Sequence, residues 1–230
     1  MNQIKKIKSG IAGLDQILGG GIPEKSILVL EGGPGTGKTI FGLQFLIEGL
    51  ASNEPGIFLT TDESPSRILG TLNQFNWDTR EPITVKEPIT VIDSFSSIFG
   101  KASGNYVIHD LGDINELSEV LIRAIKETSA KRVVIDSFNS LCLSKPVSPR
   151  TIFLNIKRIL YSLNCSSLVI MNQEDRNVEH LSDGLIKLYI DDKTDNLRRI
   201  LFLVKMKGAN FKPSKYPFEI SEKGLNLILS

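Results

Sequence analysis

Gly32, Gly33, Pro34, Gly35, Thr36, Gly37, Lys38 and Thr39 carry a chemistry by their order alone. They satisfy G-x-x-x-x-G-K-[ST] in full, and that pattern cradles phosphate. The glycines let successive backbone N–H groups turn inward around a β-phosphate, and the start of the following helix adds its partial positive charge. Lys38 then reaches the β- and γ-phosphates and Thr39 ligates Mg²⁺. Such a loop needs a strand before it and a helix behind it. Ser26 to Glu31 reads as a buried strand and Thr39 to Leu46 as a helix, so the flanks agree. A glycine-rich turn without a ligand would require neither the Lys-Thr pair nor these flanks.

Two further sets of carboxylates stand where a bound triphosphate could use them. The run Lys131-Arg132-Val133-Val134-Ile135 leads into Asp136, and an apolar strand ending in aspartate downstream of a phosphate loop orients the Mg²⁺ shell and its waters. Pro55 to Thr61 reads as a turn and strand that ends in Asp62 and Glu63. Carboxylates at the carboxyl end of a parallel strand face the ligand crevice. The competing reading is that one of them caps the next helix, where Ser64-Pro65 suits an N-cap followed by Pro at the first helical position.

The elements that must hold these residues alternate along the chain. Ser9 to Leu18 reads as a short amphipathic turn or helix closed by Gly19-Gly20-Gly21. Ser66 to Asn76 is a helix with Ile68, Leu69, Leu72 and Phe75 on one face, Glu81 to Val85 a loop, and Ile89 to Asp93 a strand. Ser94 to Asp110, rich in Ser and Gly with Phe95, Phe99 and Tyr106, suggests a surface insertion. Asp113 caps a helix running to Thr128, Leu141 to Pro149 is a loop, Arg150 to Leu163 a helix, and Ser167 to Gln173 a strand. The last third is antiparallel in character: strands at Leu185 to Ile190 and Arg198 to Val204 flank a polar turn, and two short strands finish the chain.

Composition narrows the function classes. Lys and Arg number 27 against 26 Asp and Glu, a formal charge of +1, so no global field argues for nucleic acid, an anionic membrane or an acidic substrate. Cys142 and Cys165 lie far apart without metal-ligand spacing, as reduced core thiols in a cytoplasmic protein would. No stretch is long and apolar enough to span a bilayer. At 230 residues the expectation is one α/β domain over 1–230.

Leu18-Gly19-Gly20-Gly21-Ile22-Pro23, the phosphate loop, then Phe41, Gln44 and Phe45 resemble the RecA superfamily, and within it the KaiC-like ATPases with their archaeal RadA-paralogue relatives. The resemblance runs from Ser9 to Ile228, leaving Ser94 to Asp110 unexplained. It implies a RecA-like fold: a mainly parallel sheet flanked by helices, nucleotide at the carboxyl ends of the strands, and an antiparallel C-terminal extension. It also implies roles. The family's adjacent acidic pair, taken to activate the attacking water, falls on Asp62 and Glu63. A polar residue that senses the γ-phosphate falls on Asn172, beside Gln173. A Lys-x-Arg-Gly segment whose cations enter the neighbouring subunit's nucleotide site falls on Lys205-Met206-Lys207-Gly208, where lysine replaces the arginine and lacks its planar fork.

The expectation is therefore Mg²⁺-dependent binding and hydrolysis of ATP to ADP in a homo-oligomer, a hexameric ring or filament whose site is completed in trans. Two other classes stay open. One is a RadA-paralogue module for single-stranded DNA, disfavoured because Gln173 to Glu179 is net acidic and lacks the aromatic platforms such binding uses. The other is a nucleotide-dependent scaffold with little turnover that engages further proteins.

Overall fold

The computed structural model describes residues 4–75, 77, 89–100, 102, 104–143, 147–192 and 197–229. The loop expected at Glu81 to Val85 lies outside the described residues. The chain opens with β1 (Lys6–Ile7), helix α1 (Leu14–Ile17) and β2 (Ile22–Pro23), and β1 pairs with β2 as an antiparallel ribbon. The triple glycine closes it: Gly21 sits at φ +126, and an added Cβ would lie 2.2 Å from the Ile7 carbonyl oxygen. Strands two residues long offer no period to read, and the ribbon has no counterpart in the sequence pattern.

The remaining elements alternate. They are β3 (Ile27–Gly32), α2 (Lys38–Ala51), β4 (Gly56–Thr60), α3 (Pro65–Leu72), β5 (Ile89–Asp93), α4 (Ile114–Thr128), β6 (Arg132–Asp136), α5 (Phe138–Leu143), α6 (Pro149–Ser162), β7 (Ser166–Met171) and α7 (Arg176–Leu181). Four strands end the chain: β8 (Gly184–Asp191), β9 (Arg198–Met206), β10 (Ser214–Ser221) and β11 (Gly224–Leu227). One nine-stranded sheet runs β11-β10-β9-β8-β3-β7-β6-β4-β5. Its six strands from β8 to β5 are parallel, and β9, β10 and β11 extend it antiparallel beyond β8. This is the α/β architecture expected.

Both faces of the sheet are covered, which is why its central strands read as unbroken apolar runs. On one face Leu28, Leu30 and Phe58 pack with Leu14 of α1, Phe41 and Phe45 of α2 and Ile68 of α3. On the other, Val29, Leu59 and Val133 pack with Leu117 and Leu121 of α4 and Phe153 and Ile156 of α6. The registers align the carboxyl ends: Glu31 stands opposite Met171 and Lys187, and Thr60 opposite both Asp93 and Asp136. A crevice along that edge is where a ligand of such a sheet sits.

Arg132 anchors the far end of β6. It is fully buried: Nε donates to Glu54 at 2.8 Å, Nη1 donates to the carbonyls of Lys8 and Phe45 at 2.8 Å each, and the guanidinium lies 4.7 Å from the Phe45 ring centroid. Burial is tolerable because these donors find acceptors from three segments.

Three segments differ from the expectations. The stretch 94–110 is more than a surface insertion, because Tyr106 and Ile108 are buried in the core; Val107 bridges to Asp93, and the Tyr106 hydroxyl donates to Glu127 at 2.7 Å. Helix α5 takes the first part of the expected loop at Leu141 to Pro149, with Phe138 and Leu141 inward. The acidic stretch Gln173 to Glu179, weighed above as a DNA-binding segment, is irregular only as far as Asp175, whose side chain accepts from Asn177 N at 2.9 Å and starts α7. Local side-chain bonds and tertiary burial outweigh composition in each case. Cys165 is buried and Cys142 half-buried. Among the described residues no helix is long and apolar enough to cross a membrane.

Candidate functional site

The phosphate loop leaves the end of β3 and turns into α2, with Gly37 at the N-cap in the left-handed region (φ +98) and Lys38 as the first helical residue. The left-handed backbone of Gly37 is what calls for glycine; a Cβ there would lie 2.7 Å from Ile220 Cδ1 of β10, a side-chain tip that can give way. Gly33 and Gly35 face open space, where a Cβ would meet nothing within 4 Å, which leaves their backbone free to approach a ligand. Thr36 Oγ1 and Lys38 Nζ both donate to the Gly33 carbonyl, at 2.8 and 2.9 Å.

β6 brings Asp136 beside this loop. Thr39 Oγ1 donates to Asp136 Oδ2 at 2.7 Å, joining residues 97 apart in sequence. Burial pushes the Asp136 carboxyl up to about 6; the Thr39 hydroxyl opposes that rise, Asp62 and Glu63 add to it, and Lys38 opposes it. Burial lowers Lys38 from the usual lysine range, against the pull of Asp136 and Asp62. The site therefore holds one poorly solvated cation and one poorly solvated anion. A triphosphate beside Lys38 and a hard divalent cation beside Thr39 and Asp136 would relieve both.

Asp62 and Glu63 leave the end of β4 on the same edge. Ser64 caps α3, accepting from Arg67 N with Pro65 at the first position, so neither carboxylate is the cap. Asp62 is fixed instead by three neighbouring hydroxyls: Ser137 Oγ donates to its Oδ2 at 2.8 Å, and Ser140 Oγ and, at 3.1 Å, Thr61 Oγ1 donate to its Oδ1. Thr61 completes the link, accepting from Ser137 N at 2.7 Å. Glu63 reaches solvent, with Oε2 3.2 Å from Arg67 Nε. Asn172 stands exposed just past β7, its N–H donating to Asn139 Oδ1 at 2.6 Å.

The lysine pair lies elsewhere. Met206 pairs with Gly184, and Gly184 with Leu28, so the end of β9 sits level with the start of β3. Four residues of strand, about 13 Å, separate that level from Gly32. Lys205 Nζ donates to the Glu179 carbonyl, and Lys207 Nζ lies 3.3 Å from Asp183 Oδ1. Within one chain the structure gathers Gly32 to Thr39, Asp62, Glu63, Asp136 and Asn172 at one edge and leaves Lys205 and Lys207 at the other.

A family model described as "ATPase: KaiC" matches residues 7–230. The chain belongs to the KaiC ATPase family. Among proteins similar to this KaiC-family chain, UPF0273 proteins of Thermotoga maritima and Pyrococcus horikoshii are each 41% identical over 96% of it, covering 95% and 93% of their own lengths. A crystal structure of a KaiC-like protein from Pyrococcus horikoshii superposes with a TM-score of 0.81 at 27% identity, covering 98% of this chain and all of that one. Membership supports a nucleotide-binding, RecA-like function for the chain.

Several contributors carry no signal in the sequence. Ser137 and Ser140 meet Asp62 only because β4 and β6 are neighbours, and Ile220 covers Gly37 only because β10 folds back over the loop. Phe75 and Trp77 stack at 4.8 Å, and Trp77 Nε1 would lie 2.7 Å from a Cβ on Gly224, so this aromatic pair borders the β10–β11 turn.

Proposed function

We propose that this chain is a Mg²⁺-dependent ATPase that works as a nucleotide-switched homo-oligomer, a hexameric ring or filament, each active site being completed by the next subunit. The observation that supports it best is the Thr39–Asp136 contact of 2.7 Å with Lys38 beside it, a phosphate-and-metal donor set held in a buried setting. The loop amides and Lys38 bind the phosphates, Thr39 holds the metal, and Asp136 orders the metal's water shell. Bound Mg²⁺ would neutralise charge on the β- and γ-phosphate oxygens. Asn172, level with the loop across β7, reads the γ-phosphate. Glu63 accepts the proton of the attacking water, and Asp62, pinned by Ser137 and Ser140, holds the ends of β4 and β6 in register and adds its charge.

Lys205 and Lys207 cannot serve their own chain's nucleotide across the length of the sheet, which supports a role toward a neighbour. A heterologous interface of this kind builds a ring or a filament. Cations supplied in trans offset charge developing on the transferred phosphoryl group. Lysines give less directional contact than arginine, so turnover is slow. The DNA-binding reading gains nothing from the segment after β7, where Glu174 and Glu179 are spent on Lys187.

Phosphate release with Mg²⁺-ATP, measured across protein concentration, tests the proposal. The expected result is a rate per subunit that rises with concentration and exceeds that of Lys38→Ala. Release no greater than that variant's at every concentration would remove the hydrolysis claim.

A further inference from the structure

On the sheet face opposite α2, Lys187 of β8 stands across from Glu31 of β3, the residue just before the phosphate loop. Its Nζ lies 3.0 Å from Glu31 Oε2, 2.8 Å from Glu174 Oε1 and 3.2 Å from Glu179 Oε1. The three carboxylates come close enough to share a cation, and the cation among them is the ammonium of Lys187. Each belongs to a different working part. Glu31 is joined to the loop, Glu174 lies in the turn just beyond Asn172, and Glu179 is on α7.

Helix α7 is tied in turn to the lysine segment. The Glu179 carbonyl accepts from Lys205 Nζ, the Leu181 carbonyl accepts from Lys157 Nζ at 2.7 Å, and Asp183 meets both Lys157 and Lys207, at 2.9 and 3.3 Å. A continuous polar path therefore runs from Gly32 through Glu31, Lys187 and Glu179 to Lys205. It spans the distance that separates the phosphate loop from the cations at the far end of the sheet. Stability alone does not call for it. The Glu31 side chain is 3% exposed, and an apolar pair of similar volume in place of Glu31 and Lys187 would be as stable or more so. The cluster instead ties β3, the turn beyond β7 and helix α7 to one ammonium.

We propose that Lys187 is a positioning residue that couples occupancy of the phosphate loop to helix α7 and thereby to the Lys205–Gly208 segment. The purpose of the coupling rests on the trans-acting role proposed for that segment. When the turn at 172–175 closes on the γ-phosphate, Glu174 changes its distance from Lys187. The ammonium then redistributes its contacts between Glu31 and Glu179, and α7 and the carbonyl that holds Lys205 move with it.

Amide hydrogen exchange with a non-hydrolysable ATP analogue and Mg²⁺ tests this, read over residues 33–39, 176–181 and 205–208 alongside nucleotide affinity. Two variants keep the fold. Glu174→Gln alters a carboxylate that is 67% exposed, and Glu31→Gln/Lys187→Met removes the buried carboxylate and its partly exposed ammonium together. The wild type should gain protection in all three segments, by about fivefold or more. Both variants should keep affinity within about threefold and keep the gain at 33–39, yet lose it at 176–181 and 205–208, while Lys187→Arg retains it. A wild type with no gain at 176–181, or a double variant with the full gain, overturns the coupling. If the exchange response follows the expected pattern while Lys205→Ala/Lys207→Ala hydrolyses ATP at the wild-type rate, the coupling stands and the trans-acting role falls.

Discussion

Asp136→Asn should stabilise the nucleotide-free protein while abolishing its hydrolysis. The carboxyl is raised from 3.8 to about 6, first by burial and next by the charges of Asp62 and Glu63. For an acid raised on folding, the penalty is absent below the unfolded value, grows between pH 3.8 and about 6, and is complete above that. At neutral pH the rise corresponds to roughly 3 kcal/mol, of which about 1 kcal/mol returns as the cost of burying an amide that still accepts from Thr39. The net gain of about 2 kcal/mol raises Tm by roughly 4–8 °C in a chain of this size. Thermal unfolding in EDTA at pH 8 and pH 4 measures it: the variant should unfold several degrees higher at pH 8 and slightly below the wild type at pH 4, where the penalty is nearly gone and the cost of the buried amide remains. A gain of equal size at both pH values, or none at pH 8, would refute the view that a desolvated carboxylate is kept here for metal binding.

Lys38→Ala should weaken ATP binding at least about 30-fold in titration calorimetry, because a charged hydrogen-bond donor to phosphate is lost. Its apo Tm should hold or rise, since the ammonium is already penalised by burial. Glu63→Gln should lower kcat on the order of 100-fold with nucleotide affinity unchanged, as loss of a proton acceptor does. Asp62→Asn should lower both kcat and Tm, because the Ser137 and Ser140 hydroxyls lose a charged acceptor; a larger kcat loss than Glu63→Gln at unchanged Tm would transfer the base role to Asp62. Arg132→Met should cost about 3–5 kcal/mol and roughly 10 °C in Tm by leaving Glu54 and two carbonyls without their donor, which chemical denaturation checks.

The parts of the fold that repeat a local rule were legible. The phosphate loop, the apolar run into Asp136 and the Asp113 and Ser64 caps each state their chemistry within a few residues, and the structure places them accordingly. The antiparallel end was equally plain from β-rich runs broken by polar turns. What depends on which strands are neighbours was not. The order β7-β6-β4 puts Ser137 and Ser140 on Asp62, and β3 beside β8 puts Lys187 on Glu31, although no spacing in the chain announces either pair. Arg132 reads as an ordinary strand residue, and only the convergence of Glu54, Lys8 and Phe45 shows why a guanidinium is buried there. Tyr106 and Ile108 were hidden by the polar composition around them, which reflects the surface they pass rather than the core they enter.

The central claim is that each site draws on two subunits, and mixing two inactive variants tests it most directly. Lys38→Ala subunits lack the phosphate-binding lysine but retain Lys205 and Lys207, whereas Lys205→Ala/Lys207→Ala subunits retain the loop and lack the trans cations. In a randomly mixed equimolar assembly, half the sites have an intact loop and half of those face an intact neighbour. Hydrolysis should then recover to about a quarter of the wild-type rate per subunit. A mixture no more active than the average of its two components would contradict the account.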